Sequence, residues 1–138
     1  MTTTKLPYKS YIVHDDTYIW VGKNDALNDS LTFEYSLEKE WWAHIVNYAG
    51  SHIVIKNEND VLDTKILRDT ALLAIKHSKA KNIKGSHSVM FCRCDQLYKK
   101  KGSKAGMVYH QGKTITISVN IKKQATRLQT IETNSCLQ

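Results

Sequence analysis

The chain has 138 residues, of which 41% are hydrophobic and 24% charged, with a formal net charge of +7. This length suits one domain with its own core, and the hydrophobic fraction excludes a disordered chain. No apolar run approaches the roughly 18 residues that cross a bilayer, so we expect no membrane insertion. The three cysteines have no CxxC spacing, which indicates a reduced, cytoplasmic compartment.

The charge is unevenly distributed along the chain. Residues 1–75 contain 7 Lys/Arg against 11 Asp/Glu, whereas residues 76–138 contain 13 against 2. The positive charges of residues 76–138 repel one another. An anionic partner is the simplest explanation for this excess of positive charge. Nucleic acid is the first candidate partner and an anionic membrane surface the second. The alternative is a basic face that serves only solubility.

The first half of the chain predicts two β-hairpins. Residues 8–22 contain two aromatic and β-branched runs joined by a polar Asp-Asp turn, the pattern of a hairpin. Residues 23–36 mix Asn and Asp with Leu and Phe, which predicts a loop with a short helical turn. Residues 41–56 form the second hairpin in this prediction.

The second half predicts one main helix and a third hairpin. Residues 63–82 form the helix, since apolar side chains recur on one helical face. Residues 87–94 read as a strand, and residues 106–118 as a hairpin that turns near Gln111-Gly112. Residues 120–132 predict a short amphipathic helix.

Together these elements indicate the α+β class: a largely antiparallel sheet built of hairpins, with one main helix and a short C-terminal helix. We expect a single domain over residues 1–138. Its core should span about residues 8–119, with residues 120–138 as a C-terminal helix and tail.

The second hairpin constrains three side chains. Its aliphatic residues can enter one core only in a register that brings Trp42, His44 and His52 together on the opposite face. A three-residue turn centred near Tyr48, with Gly50 at positive φ, provides that register. The three rings could stack on bases or bond phosphates, or they could cover a second hydrophobic layer with both histidines bonded to backbone. A zinc site is disfavoured because two histidines lack further ligands at a usual spacing.

A basic loop lies between the predicted strand at residues 87–94 and the predicted third hairpin. In "KKKGSKAG" lysines alternate with two glycines, whose flexibility would let the backbone approach a phosphate. Lysine in place of arginine favours loose backbone contacts over the reading of base edges. The lysines that leave the main helix could extend the same patch.

Four segments, in order, resemble the motifs of one family: residues 21–33, 41–55, 70–82 and 97–117. The family is the NFACT RNA-binding domain, the C-terminal module of the NFACT proteins, and the resemblance covers about four-fifths of the chain. Two alanines, Ala49 and Ala105, replace prolines that the family favours, so both loops should be less rigid.

The resemblance implies RNA binding, with tRNA or ribosomal RNA as partner and the large ribosomal subunit as a possible setting, in ribosome-associated quality control. No cofactor, metal or catalytic activity is expected. A DNA-binding or sensing protein, a protein–protein adaptor with a basic face, and an enzyme centred on the two histidines remain alternatives.

We expect one set of residues to contact nucleic acid and another to brace the site. The contacting set is Lys99, Lys100, Lys101, Lys104, Gly102, Gly106, Lys79, Lys81, Lys84, Lys23, Trp42, His44 and His52, and the bracing set is Asn24, Asn28, Asp29, Gly50 and Ser51. For the Asn24, Asn28 and Asp29 cluster, hydrogen bonding to a nucleotide is the alternative to bracing.

Overall fold

A six-stranded antiparallel sheet forms the centre of the protein in a computed structural model that describes residues 6–136. The eight strands are β1 (Tyr8–Ile12), β2 (Tyr18–Gly22), β3 (Trp41–Ile45), β4 (Ile53–Ile55), β5 (His87–Arg93), β6 (Leu97–Tyr98), β7 (Tyr109–His110) and β8 (Ile115–Val119). The large sheet has the order β1-β2-β4-β3-β5-β8, and β6 pairs with β7 in a separate ribbon.

In the part of the chain that the structure describes, three α-helices accompany the strands: α1 (Asp25–Ser30), α2 (Thr64–Lys76) and α3 (Ala125–Cys136). A π-helical turn, Leu31–Tyr35, continues α1. The predicted α+β class with an antiparallel sheet and a C-terminal helix is therefore confirmed. No helix within residues 6–136 has the length and apolar character needed to cross a membrane.

The first hairpin forms as predicted, with β1 and β2 antiparallel around the turn at Asp15 and Asp16. The second hairpin has the predicted register, since Ala43 lies opposite Ile53. Its loop differs, because the strands end at residue 45 and resume at residue 53, and Asn47, not Gly50, has the positive φ of 68°.

Gly50 serves close packing instead of a left-handed turn. A Cβ at this position would lie 3.0 Å from side-chain carbons of both Ile45 and Ser78. Gly50 also bridges to Ser78 in antiparallel fashion. The glycine therefore lets the hairpin loop lie against the segment that follows α2.

The predicted third hairpin is wrong. Tyr109–His110 pairs with Leu97–Tyr98, whereas Ile115–Val119 adds to the edge of the large sheet beside β5. The turn at Gly112 exists, with φ +82°, but it leads the chain from the ribbon to the sheet. The basic loop, residues 99–108, thereby becomes the connection between the two strands of the ribbon.

The two faces of the sheet are covered differently. The helices α2 and α3 pack on one face, where Ile131 of α3 joins the main core. On the other face, Leu31, Leu97, Trp42 and Val54 form a second apolar cluster. This second face, under the π-helical turn and the ribbon, carries the basic loop.

A buried carboxylate fixes α3 to the rest of the fold. Asp69 is fully buried and accepts hydrogen bonds from Arg127 at 2.6 Å and 3.0 Å, from Arg68 at 2.9 Å and from the backbone N–H of His14 at 3.1 Å. Burial raises the pKa of Asp69, but these donors outweigh it and bring the pKa below its ordinary value. The carboxylate therefore stays charged between its two arginines.

Candidate nucleic-acid interface

Two adjoining grooves cross the end of the sheet where the hairpin loop 46–52 lies. The first, which we call the lysine groove, has a volume of about 550 Å³ and is lined by the cationic side chains of Lys23, Lys76, Lys79 and Lys81. The second, which we call the apolar groove, has a volume of about 660 Å³. The two grooves share Asp25, Ala49 and Gly50 as a common wall.

Backbone hydrogen bonds hold the lysine groove in shape. The N–H of Ser51 donates to the carbonyl of His77 at 3.1 Å, and the N–H of Lys79 donates to the carbonyl of Ala49 at 2.9 Å. The segment after α2 is thus paired with the hairpin loop on both sides of Gly50. This pairing fixes the backbone from which Lys79 and Lys81 extend into the groove.

His77 anchors the same segment to the core. Its Nε2 lies 2.7 Å from the hydroxyl of Tyr11. Burial, together with the positive charges of Lys76 and Lys9, lowers the pKa of His77 to about 4. The imidazole is therefore neutral near pH 7, and the end of α2 carries its charge on the lysines alone.

The Asn-rich segment after β2 makes hydrogen bonds within the protein. The side chain of Asn24 accepts from the N–H of Leu27 at 2.9 Å and caps α1. Asn28 is buried, and its Oδ1 accepts from the N–H of His52 at 3.1 Å. Gly22 leaves the space for this amide, since a Cβ at Gly22 would lie 1.8 Å from Asn28 Oδ1.

Asp29 anchors the basic loop. Its Oδ2 accepts from the ammonium group of Lys99 at 2.9 Å and from the N–H of Gly106 at 3.1 Å. The same ammonium group donates to the carbonyls of Lys104 at 2.9 Å and of Met107 at 2.8 Å. All three N–H groups of the Lys99 ammonium are thus engaged within the protein.

These contacts correct two predictions about the basic loop. Lys99 is a structural residue, because its charge is neutralised by Asp29 and its donors close the loop. Gly106 has the positive φ of 82° that favours glycine, but its N–H is bonded to Asp29 and is not presented to a phosphate. Gly102, also at φ +82°, is exposed, and a Cβ there would meet nothing within 4 Å.

A buried relay of hydrogen bonds links the loop to the sheet. The Nε2 of His52 lies 2.9 Å from the carbonyl oxygen of Gly106, which can only accept, so Nε2 carries the hydrogen. Burial lowers the pKa of His52 to about 4, so near pH 7 its Nδ1 is an acceptor. The hydroxyl of Thr32, 2.8 Å away, donates to it and itself accepts from Nε1 of Trp42 at 3.1 Å.

The three rings predicted to meet do so, but two of them are inside the protein. The centroids of Trp42, His44 and His52 lie 5.2–5.9 Å from each other. Trp42 and His52 expose only 3% and 1% of their surface, so neither presents a free face to a base. We correct their predicted role accordingly: they support the basic loop.

His44 is half-buried, and its Nδ1 donates to the carbonyl of Ile45. Burial lowers its pKa, although the Ile45 and Gly50 carbonyls act in the opposite direction. His44 therefore lines the apolar groove as a neutral ring.

The other predicted lysines differ in position. Lys104 is exposed and lines the apolar groove. Lys100 lies with its ammonium group 4.1 Å from the centre of the Tyr109 ring. Lys84 and Lys101 are exposed and line neither groove. The interface therefore gathers part of the predicted patch, and direct contact of any of these lysines with nucleic acid stays a prediction.

Sequence reasoning missed Lys76 and Asp25 as groove residues. Lys76 lines the lysine groove while its ammonium group pairs with Glu132 at 2.7 Å. The helical pattern, predicted over residues 63–82, includes Lys76 but does not show that α2 ends there. No local signal shows which loop faces that end.

Reactive and metal-binding groups do not gather at this interface. Burial raises the pKa of Cys92 and of Cys94 to about 12, so both are thiols and poor nucleophiles near pH 7. Within residues 6–136, no three His, Cys, Asp or Glu side chains are placed to hold a metal ion.

Comparison with known proteins identifies the family. The sequence profile described as "NFACT protein RNA binding domain" matches residues 8–127. The chain belongs to this family. The Rqc2 homolog RqcH of Streptococcus suis is 37% identical over 103 residues, which is 74% of this chain and 18% of the relative. The Rqc2 homolog RqcH of Streptococcus pneumoniae is 32% identical over 120 residues, or 86% of this chain and 21% of the relative.

A solved structure has the same fold. It is the C-terminal part of the fibronectin/fibrinogen-binding protein from Streptococcus suis, with a TM-score of 0.80 and 30% identity over 94% of this chain and 50% of that one. The chain thus spans about a fifth of the length of these curated relatives.

Ala49 and Ala105, where the family resemblance predicts proline, both lie in groove walls of this NFACT RNA-binding domain. Ala49 is shared by the two grooves, and Ala105 lines the apolar groove. Both alanines are exposed. A proline at residue 49 or 105 would fix φ, so these walls depend on the hydrogen bonds described above for their shape.

Proposed function

We propose that this NFACT RNA-binding domain binds folded RNA, either tRNA or ribosomal RNA, mainly through backbone phosphates held in the lysine groove. The observation that carries the proposal is the convergence of Lys23, from the end of β2, with Lys79 and Lys81, from the segment after α2. All three are exposed, and within residues 6–136 none of them takes part in an ion pair.

The chemistry of the groove favours phosphates over base edges. Ammonium groups act as point charges that displace counterions from the phosphate backbone, and they lack the planar fork with which arginine reads guanine. The side chains of Asn24 and Asn28 are occupied in capping α1 and bonding His52. Recognition in this groove would therefore depend on shape and charge, as suits folded RNA.

The setting we propose is translation, within ribosome-associated quality control, on or near the large ribosomal subunit in the cytoplasm. Support comes from membership of the family and from relatives that are named Rqc2 homologs. We propose that the domain acts by binding and does not catalyse a reaction.

The test replaces the three groove lysines together, as Lys23→Gln, Lys79→Gln and Lys81→Gln. The matched control is Lys65→Gln, Lys122→Gln and Lys123→Gln, which removes the same charge from exposed lysines that line neither groove. Binding of fluorescein-labelled tRNA is followed by anisotropy over a range of salt concentrations. Loss of three phosphate contacts should flatten the slope of log K against log salt by roughly 2–3, and the control should change it far less.

Equal slopes for the two triple variants would contradict a localised groove and indicate diffuse attraction by the net charge. A DNA duplex of matched sequence, titrated at one salt concentration, distinguishes the DNA-binding alternative. We expect the RNA to bind more tightly, and equal affinities would refute a preference for RNA.

A further inference from the structure

The apolar groove has walls unlike those of its neighbour. Ring, thioether and aliphatic side chains form much of its lining, with His44 and Met90 on the sheet and Met107 and Val108 on the basic loop. Two charged groups line the groove: Lys104 on the loop, and Asp25 at the wall shared with the lysine groove. A groove of about 660 Å³ is within the range of small-molecule sites, which are mostly apolar with a few polar groups.

The inner wall of this groove is made rigid by the relay described above. The Trp42 and His44 rings are nearly parallel, with an angle of 8° between their planes. His52 stands edge-on to both, at 77° and 81°, and its Nε2 holds the carbonyl of Gly106. The sheet wall and the loop wall are therefore held at a fixed separation, as a preformed site requires.

Continuity with the lysine groove identifies the occupant. A groove for phosphates runs directly into a groove for a flat apolar group, across the wall of Ala49 and Gly50. The carboxylate of Asp25 stands at this junction and repels phosphate there, so phosphates belong at the lysine end. A chain that offers both groups side by side is a nucleotide with an unpaired base.

We infer that the apolar groove receives one unpaired nucleobase of the bound RNA, beside the phosphates held by the lysine groove. This inference rests on the proposed function and adds to it a preference for RNA with a single-stranded nucleotide next to a helix. The base would lie against His44 and between the methionines, and Lys104 would contact the phosphate that follows it.

The test compares three RNA ligands at one salt concentration: a blunt duplex, the same duplex with a short 3′ adenosine extension, and the same extension built from abasic sites. The two extensions carry equal numbers of phosphates, so their difference reports the base alone. We expect the adenosine extension to bind about tenfold more tightly than the abasic one, since stacking of one base commonly supplies a factor of this size.

Thr116→Trp tests the location. Thr116 is exposed on β8 and lines the apolar groove opposite Met90, so an indole there should fill it. This variant should lose the tenfold advantage and keep its affinity for the blunt duplex. The control, Thr126→Trp, makes the same change at an exposed position of α3 that lines neither groove, and should keep both.

A second measurement uses the unaltered protein. Met90 and Met107 are two of only three methionines in the chain, so their methyl NMR signals are easily assigned. The adenosine extension should shift both signals through the ring current of the base, and the abasic extension should not.

Equal affinity for the two extensions, or retention of the advantage in Thr116→Trp, would overturn the inference and leave the groove to another occupant, such as an apolar side chain of a protein. Failure of all three RNAs to bind would instead contradict the proposed function.

Discussion

The two lysine-rich segments, residues 76–84 and 99–104, contain four lysines each but use them differently. After α2, the backbone is held by its pairing with the hairpin loop, and two of the four lysines line the lysine groove without any ion pair within the described chain. The basic loop has no regular structure between β6 and β7, and it uses the ammonium group of Lys99 to close itself. Whether a lysine's charge is available for binding thus depends on whether other contacts already hold the backbone of its segment in place.

Each segment is held to the core by a neutral histidine. We therefore expect a decrease in pH to have the largest effect on both segments. His52 holds the basic loop and His77 the end of α2, each with a pKa lowered to about 4 chiefly by burial. Well above pH 6.5 these histidines are neutral in both folded and unfolded chains. Between pH 6.5 and 4 these histidines bind protons in the unfolded chain but not in the folded chain. The free energy of unfolding therefore decreases as the pH falls.

We expect the free energy of unfolding to decrease by about 3 kcal/mol for His52 alone between pH 7 and pH 4, measured by urea unfolding. His52→Gln keeps a donor for Gly106 and should make the curve less steep in that range. The control His110→Gln changes an exposed imidazole and should leave the steepness unaltered. An equally steep curve for His52→Gln would contradict the assignment of a neutral His52.

Removal of the loop's carboxylate anchor should have the next largest effect. Asp29→Ala takes the acceptor from both Lys99 and the N–H of Gly106, which should cost about 2 kcal/mol. Trypsin should then cut faster after Lys100 and Lys101, because the loop opens more often. Glu34→Ala, at an exposed carboxylate of the π-helical turn that continues α1, should change neither. If the two variants were cut at equal rates, Asp29 would not be the anchor.

The segments predicted correctly are those whose pairing is local. The first hairpin and the register of the second follow from alternation over a few residues. The main helix, predicted over residues 63–82, forms over Thr64–Lys76 and so ends six residues earlier than predicted. The third hairpin was wrong because residues 106–118 satisfy the same local pattern, whereas their true partners are β6 and β5. Alternation shows that a segment is a strand, but not which strand lies beside it.

In the candidate site, too, local contacts could be predicted from the sequence and long-range contacts could not. The capping of α1 by Asn24, and the meeting of Trp42, His44 and His52, follow from neighbouring residues and one hairpin register. The bond of Asn28 to the N–H of His52 joins residues 24 positions apart. The neutralisation of Lys99 by Asp29 joins residues 70 positions apart, and no local pattern reports it. Burial of Trp42 likewise depends on Leu31 and Leu97, which cover it from separate segments.

A comparison of two lysines within the basic loop gives the smallest and sharpest test. Lys99 is engaged by Asp29 and two carbonyls, whereas Lys104 is exposed on the apolar groove. Lys99→Gln should lower stability by about 1 kcal/mol and leave the salt dependence of RNA binding nearly unchanged. Lys104→Gln should do the reverse, leaving the unfolding midpoint in place and reducing the salt slope by roughly 0.7.

The two variants lose the same charge from positions five residues apart, so each is the matched control of the other. Thermal unfolding and an anisotropy titration over salt concentration give both readouts on the same samples. If Lys99→Gln reduced the slope as much as Lys104→Gln, the Lys99 ammonium group would leave Asp29 when RNA binds. In that case the loop would exchange its internal anchor for a phosphate, and the two lysine-rich segments would differ only before binding.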